Sequence, residues 1–295
     1  MGAGAIRLPG QLGQRAQDIL AGRRPPAAAR DAATVMLLRP AAEHPAADHP
    51  AARRHPAAGD GLEVYMLRRK PSMAFAPGAF VFPGGAVDAG DADEQVAWAG
   101  PDPAEWGRVF DAPAELAYAL VCAAVRETFE ECGVLLAGPS ADSAVADTAG
   151  ADWEADRRAL LDRSTSLAEV LARRGLVLRS DLLRPWSRWI TPVVQERRFD
   201  ARFFAAALPD RQRTRDVGGE AAEVAWVRPA EAIAMGRAKR IVLYAPTAVS
   251  LAELAACRDV AAALAPRRVR PVLPEASVAD GAVWLTLPAD LEYPL

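Results

Sequence analysis

Two periodicities divide this chain. Residues 32–38, 62–67 and 79–82 are short apolar runs that read as strands. Further on the apolar spacing lengthens to that of a helix, and Tyr118, Val121, Cys122, Val125, Phe129 and Cys132 fall on one stripe. Pro113, two residues after Asp111, suits the start of that helix and Gly133 the position just past its end, about five turns in all. Residues 152–163 and 166–174 also read as helical, with Ser166 capping the second. Residues 186–194 and 198–207 read as strands joined by a turn at 195–197, and 224–227 as a short strand running into Pro229. Pro229 opens a helix over 230–235, a longer helix spans 245–257, and 283–287 is a last strand. Strands with helices between and after them predict a layered α/β fold.

Polarity interrupts the pattern in two places. Residues 40–61 are rich in Ala and Pro and hold the chain's 3 histidines, His44, His49 and His55, each followed by proline. A metal-binding histidine tract is one reading, and a mobile extension between two strands is the favoured one. On the long helix, Glu127, Glu130 and Glu131 lie at i, i+3 and i+4, within roughly 100° of one another. Opposite an anchoring apolar stripe they would face outward and converge on one ion, or else form an ordinary solvated face. The upstream segment 82–91 favours the ion. It is a glycine-rich turn after a strand, and glycines let a backbone approach a ligand closely. Hard oxygen donors without histidine or cysteine suit Mg²⁺ or Mn²⁺.

Taken together, Gly85, Asp91, Arg126, Glu127, Glu130, Glu131, Gly133 and Val134 resemble the signature of the Nudix hydrolases. In that signature a glycine and a glutamate lead through a seven-residue spacer into Arg-Glu-aliphatic-x-Glu-Glu-x-Gly. Three positions depart from it. Asp91 replaces the first glutamate, Thr128 replaces the aliphatic, and the spacer runs from Ala92 to Val125, 34 residues. We read the excess as a loop inserted between the glycine turn and the helix. Its Trp98, Trp106 and Phe110 point to a substrate lid or a subunit contact. The long insertion and the Arg-Glu-Thr-Phe-Glu-Glu core resemble the peroxisomal coenzyme A diphosphatase branch, as do segments 188–192, 198–200 and 203–204.

The resemblance implies a Nudix-type α/β/α sandwich with a mixed sheet, insertions and a helical C-terminal part. We divide the chain into an N-terminal extension (1–30), a hydrolase domain (31–257, including the 40–61 loop and a 92–112 insertion) and a C-terminal extension (258–295). It further implies Glu130 and Glu131 as metal ligands, Glu127 as ligand or base, and the Gly84 carbonyl completing the shell. Arg126 would orient Glu127, a reading favoured over a surface ion pair. Glu220, six residues before Trp226, is the candidate general base outside the box, with Glu223 second. Arg68, Arg69, Lys70 and Phe75, near Met73 and Ala74, offer cations and apolar surface for a substrate, against the alternative of a solvated strand end.

The expected reaction is hydrolysis of the diphosphate of coenzyme A or acyl-coenzyme A to 3′,5′-ADP and (acyl-)4′-phosphopantetheine. ADP-ribose, NADH or another nucleoside diphosphate derivative is the enzymatic alternative, and a non-catalytic nucleotide sensor the alternative of another class. A net charge of −3 with a pI near 5.8 offers no basic field for nucleic acid. Cys122, Cys132 and Cys257 are too scattered for a disulfide framework or a zinc cluster and read as core thiols. Neither a signal peptide nor an apolar run of about 18 residues is evident, so no membrane role is expected. The final Tyr293-Pro294-Leu295 is not a Ser-Lys-Leu address, so a cytoplasmic location is expected, with a homodimer as an open option.

Overall fold

The computed structural model describes residues 6–8, 10–41, 61–72, 76–93, 95–215 and 221–295. The first half of the chain forms β1 (Ile6–Arg7), α1 (Gly10–Leu20), β2 (Ala29–Pro40), β3 (Leu62–Arg69), β4 (Phe80–Val81), β5 (Gly84–Ala86), α2 (Gly90–Asp93), β6 (Trp98–Ala99), α3 (Pro103–Phe110), α4 (Ala114–Cys132) and β7 (Ala137–Gly138). The second half forms α5 (Ala151–Leu161), α6 (Leu167–Arg173), β8 (Val177–Arg179), β9 (Leu183–Ile190), β10 (Arg198–Ala207), β11 (Ala221–Val227), α7 (Pro229–Arg237), α8 (Ala245–Ala255), α9 (Val260–Ala263), β12 (Pro271–Val272), β13 (Glu275–Ala279) and β14 (Ala282–Thr286).

A mixed sheet organises the molecule in the order β11-β3-β2-β10-β9-β12, with β4 added to β3 and β5 to β2. β10 runs parallel to β2 over ten paired residues, Arg198↔Ala29 to Ala207↔Leu38. Strand alternation sends successive side chains to opposite faces. Val35, Leu37, Tyr65, Phe204 and Ala206 enter the core under α4, whereas Met36, Leu38, Met66, Phe203 and Ala205 enter the core under α7 and α8. The result is a three-layer α/β/α sandwich, as expected. α4 is buried on most of its surface, because the core lies under one side and α2, β5 and α5 pack against the others. Gly133 ends it in the left-handed conformation at φ 72°, its N–H donating to the Phe129 carbonyl.

Several expectations are corrected here. The 92–112 insertion is not a loop and does not form a lid. It contributes β6 and α3 ahead of α4. α3 carries a capping box, in which Asp102 accepts from the Glu105 N–H and Glu105 accepts from the Asp102 N–H. Trp106 and Phe110 are 2% and 1% exposed and pack edge-on against Phe204, while Trp98 stacks on Tyr118. The inserted aromatics therefore belong to this chain's own core. β9 begins and ends earlier than the apolar run predicts, because Pro192 has no N–H for a ladder and its carbonyl accepts from Gln195 in a turn. α7 and α8 supply the helical part near the C-terminus, and beyond Cys257 the chain forms the short α9, then β12, β13 and β14 joined by irregular segments. β14 covers most of the expected 283–287 strand, but it pairs with β13 on one side and β1 on the other, joining the two ends of the chain in one small sheet.

Cys122 and Cys132 are buried and free, and burial pushes both thiols up to about 12, as fits core thiols. No helix among the described residues is long and apolar enough to cross a membrane. The histidine-bearing segment lies outside the described residues.

Candidate active site

The glycine turn and α4 meet through one arginine. Arg126 is 8% exposed and donates from Nε and Nη2 to the two Asp91 carboxylate oxygens, both at 2.8 Å. Its Nη1 reaches Glu127 Oε1 at 2.8 Å and both Glu130 oxygens at 3.4 Å, and Nη2 also donates to the Ala86 carbonyl at 3.1 Å. This is no surface ion pair. A planar guanidinium can hold one carboxylate in a fork and still offer its remaining N–H groups to two others. The shorter Asp91 suffices because α2 carries it toward α4, where its Oδ2 also accepts from the Asp88 N–H at 2.8 Å. Thr128 is fully buried, and its hydroxyl is satisfied inside the helix by the Ala124 carbonyl at 2.7 Å.

The glycines have steric reasons. A Cβ on Gly85 would overlap the Glu127 carboxylate, and one on Gly84, at φ 158°, would overlap the Ala33 carbonyl and Thr34. The Gly84 N–H donates to Glu131 Oε2 at 2.7 Å. Arg126 thus holds Glu127 and Glu130 while the Gly84 N–H holds Glu131, and the expectation that they face outward is corrected. Glu130 is 7% exposed, and burial pushes the Glu127 carboxyl up to about 7 against the opposing pull of Arg126. Burial also raises Glu130, again opposed by Arg126. For Arg126, burial alone would lower the pKa, but the hydrogen-bonded Asp91 and the carboxylates Glu127 and Glu130 raise it overall.

Nor do the three carboxylates surround one ready-made ion position. Among the described residues no group of three His, Cys, Asp or Glu side chains is disposed to hold a metal ion. The chemistry of the donor set nevertheless fits a hard divalent cation. It is all oxygen, crowded with negative charge, partly desolvated, and open to a cavity. Gly85→Ala tests this packing. Pushing Glu127 off the glycine should lower kcat/KM on the order of 10²-fold, with little change in circular dichroism, since misplacement by an ångström has that cost.

The cavity has a volume of about 1410 Å³ and includes Gly84, Gly85, Asp91, Arg126, Glu127, Glu130 and Glu131 in its lining. That exceeds the ~300–1,000 Å³ of ordinary small-molecule pockets and suits an extended ligand. Of the expected substrate cations only Arg69 lines it. Arg68 alternates to the other side of β3, where it lies 3.8 Å from Glu223 in an exposed ion pair, and Lys70, just past the strand, is exposed. Glu223, the second candidate base, is thus not in the cavity lining. Phe75 and Glu220 lie outside the described residues. Sequence reading missed Arg30, Arg163, Ser164, Thr165 and Ser166, all of which line the cavity. Arg163 stands in the turn between α5 and α6 at φ 57° and lies 3.2 Å from Asp88. The one sequence signal there was the Ser166 cap. It forms a capping box with Glu169, so its visible reason was structural.

Residues 101–254 match the family model described as the NUDT19 Nudix domain, a match that takes in the α4 carboxylates and begins after the glycine turn. The acyl-coenzyme A diphosphatase NUDT19 of Xenopus laevis is 27% identical over 229 residues, covering 65% of this chain and 59% of that protein. Its Gallus gallus counterpart is 28% identical over 244 residues, covering 65% and 61%. The chain thus spans about three-fifths of the length of these curated relatives. A solved Nudix hydrolase from Alicyclobacillus acidocaldarius superposes with a TM-score of 0.62 at 25% identity, covering 81% of this chain and 99% of that one.

Proposed function

We propose, from the premise that this chain belongs to the Nudix hydrolase family, that it is a divalent-metal-dependent diphosphatase acting on coenzyme A or acyl-coenzyme A. The observation that carries this reading is a large cavity whose lining combines the α4 carboxylates, cations and extensive apolar surface. A diphosphate needs the first two, and a pantetheine or acyl arm uses the third. The relatives named as acyl-coenzyme A diphosphatases point to the same substrate class.

In this reading Glu127, Glu130 and Glu131, with the Gly84 carbonyl, would hold Mg²⁺ or Mn²⁺. A cation so held supplies neutralisation of the diphosphate oxygens and lowers the pKa of a water. The protein's own groups do the positioning. Asp91 fixes the Arg126 fork, Arg126 fixes Glu127 and Glu130, and the Gly84 N–H fixes Glu131. Arg69 and Arg163, both in the cavity lining, would receive phosphate oxygens. The proton acceptor is Glu127, or Glu220 from outside the box. The hydrolase core runs from residue 31 to 257, with the chain ends as extensions to it.

The test is kcat/KM with Mg²⁺ or Mn²⁺ for coenzyme A, acetyl-coenzyme A, ADP-ribose and NADH side by side. Coenzyme A or its thioester is expected to lead by at least about tenfold, roughly 1.4 kcal/mol of differential transition-state binding. Preference for ADP-ribose or NADH would move the substrate while leaving the site assignment intact.

A further inference from the structure

The two ends of the chain build one wall of the cavity. Leu8 and Leu12 come from the N-terminal segment, and Pro274, Leu285 and Leu287 from the C-terminal one. The wall is anchored rather than loosely apposed. The Leu8 N–H donates to the Val283 carbonyl at 2.9 Å and the Gln17 side chain to the Gly281 carbonyl at 2.8 Å. Leu8, Ala16, Val194 and Val283 form a small buried core of their own behind it.

Strand register relates this wall to the carboxylates. Thr34 of β2 pairs with Gly84 on one side and Phe203 on the other, while Arg30 pairs with Phe199. The same face of β2 and β10 therefore runs four residues from the glycine turn, about 13 Å, to Phe199. Phe199, Ala201, Phe203 and Trp189 line the cavity along that run. Leu12 is 43% exposed and borders the same cavity, so apolar surface stands open where a ligand would cover it. Among the lining residues of the C-terminal segment 274–287, Thr286 is the one polar side chain, and Arg30, paired with Phe199, is the cation at the end of the strand run. Elsewhere in the lining, residues 163–166 supply a cation and three hydroxyls.

Resting on the diphosphatase reading above, we propose that the wall made by the chain ends receives the hydrocarbon tail of a coenzyme A thioester. Leu12 and its C-terminal neighbours then determine chain-length preference. Each buried methylene is worth about three- to fourfold in affinity. The wall therefore favours long acyl chains over free coenzyme A.

The experiment compares kcat/KM of the full chain for coenzyme A, hexanoyl- and dodecanoyl-coenzyme A, in wild type, Leu12→Trp, Leu12→Asp and Leu20→Asp. Leu20 lies on the same helix, is exposed and is absent from the cavity lining. Wild type should prefer dodecanoyl-coenzyme A. Both Leu12 variants should lose at least about tenfold on that substrate and less than about twofold on coenzyme A, and Leu20→Asp should match wild type. Cleavage of coenzyme A without chain-length preference, or equal losses on all three substrates, would overturn the wall and leave the diphosphatase reading standing. Should none of the three be cleaved, calorimetric binding of dodecanoyl-coenzyme A in EDTA decides. Binding that Leu12→Trp abolishes supports the wall without the reaction, and no binding by wild type overturns both.

Discussion

Glu131→Gln is expected to lower kcat about 10³-fold while leaving the thermal midpoint near that of wild type. The two outcomes separate because the glutamine carbonyl can still accept the 2.7 Å hydrogen bond from the Gly84 N–H. The packing of the turn on α4 is therefore kept, whereas the negative charge offered to a cation is lost. A loss of about 4 kcal/mol of transition-state stabilisation is the scale expected when charge at a catalytic cation site is removed. Steady-state kinetics and a thermal melt of the same preparation check it. A variant with wild-type kcat would remove Glu131 from the site.

Arg126→Ala should be the most destabilising single change at the site. Asp91 and Arg126 have side chains only 1% and 9% exposed, and their paired hydrogen bonds are the principal tie between the glycine turn and the helix. Removing the guanidinium leaves Asp91 buried without its counter-charge and leaves Glu127 and Glu130 facing each other. Breaking a buried pair from one side costs about 3–5 kcal/mol. For a chain of this size that lowers the thermal midpoint by about 10 °C. The double variant Asp91→Leu, Arg126→Met removes both charges, keeps apolar volume, and should melt above Arg126→Ala. If Arg126→Ala melts like wild type, the fork does not hold the turn. Either variant should be nearly inactive, since Glu127 and Glu130 lose the group that orients them.

Local order was legible in the sequence where its cause was local. The span of α4, the glycine that ends it, the Ser166 cap and the strands β2, β3 and β10 all follow from spacing and end signals a few residues away. The box carboxylates were legible for the same reason. Their orientation was not. Apolar periodicity placed them on a solvent-facing side, but β5 and α2 cover that side through the Asp91–Arg126 contact, made between residues 35 apart in sequence. Trp106 and Phe110 announced packing without naming the partner, and Phe204 lies nearly a hundred residues on. Arg68, Arg69 and Lys70 looked equivalent until the end of β3 and its alternation left only Arg69 at the cavity. The two-residue strand β1 carries no pattern of its own and exists because β14 pairs with it, so the wall formed by the chain ends could not be read in advance.

Metal-dependent cleavage of the diphosphate bridge is tested by identifying by mass the products formed from coenzyme A by wild type and Glu131→Gln, with Mg²⁺ and with EDTA. Equal amounts of 3′,5′-ADP and 4′-phosphopantetheine are expected, formed only with the cation and about 10³-fold more slowly by Glu131→Gln than by wild type. Undiminished cleavage in EDTA, or products that leave the diphosphate bridge intact, would contradict it.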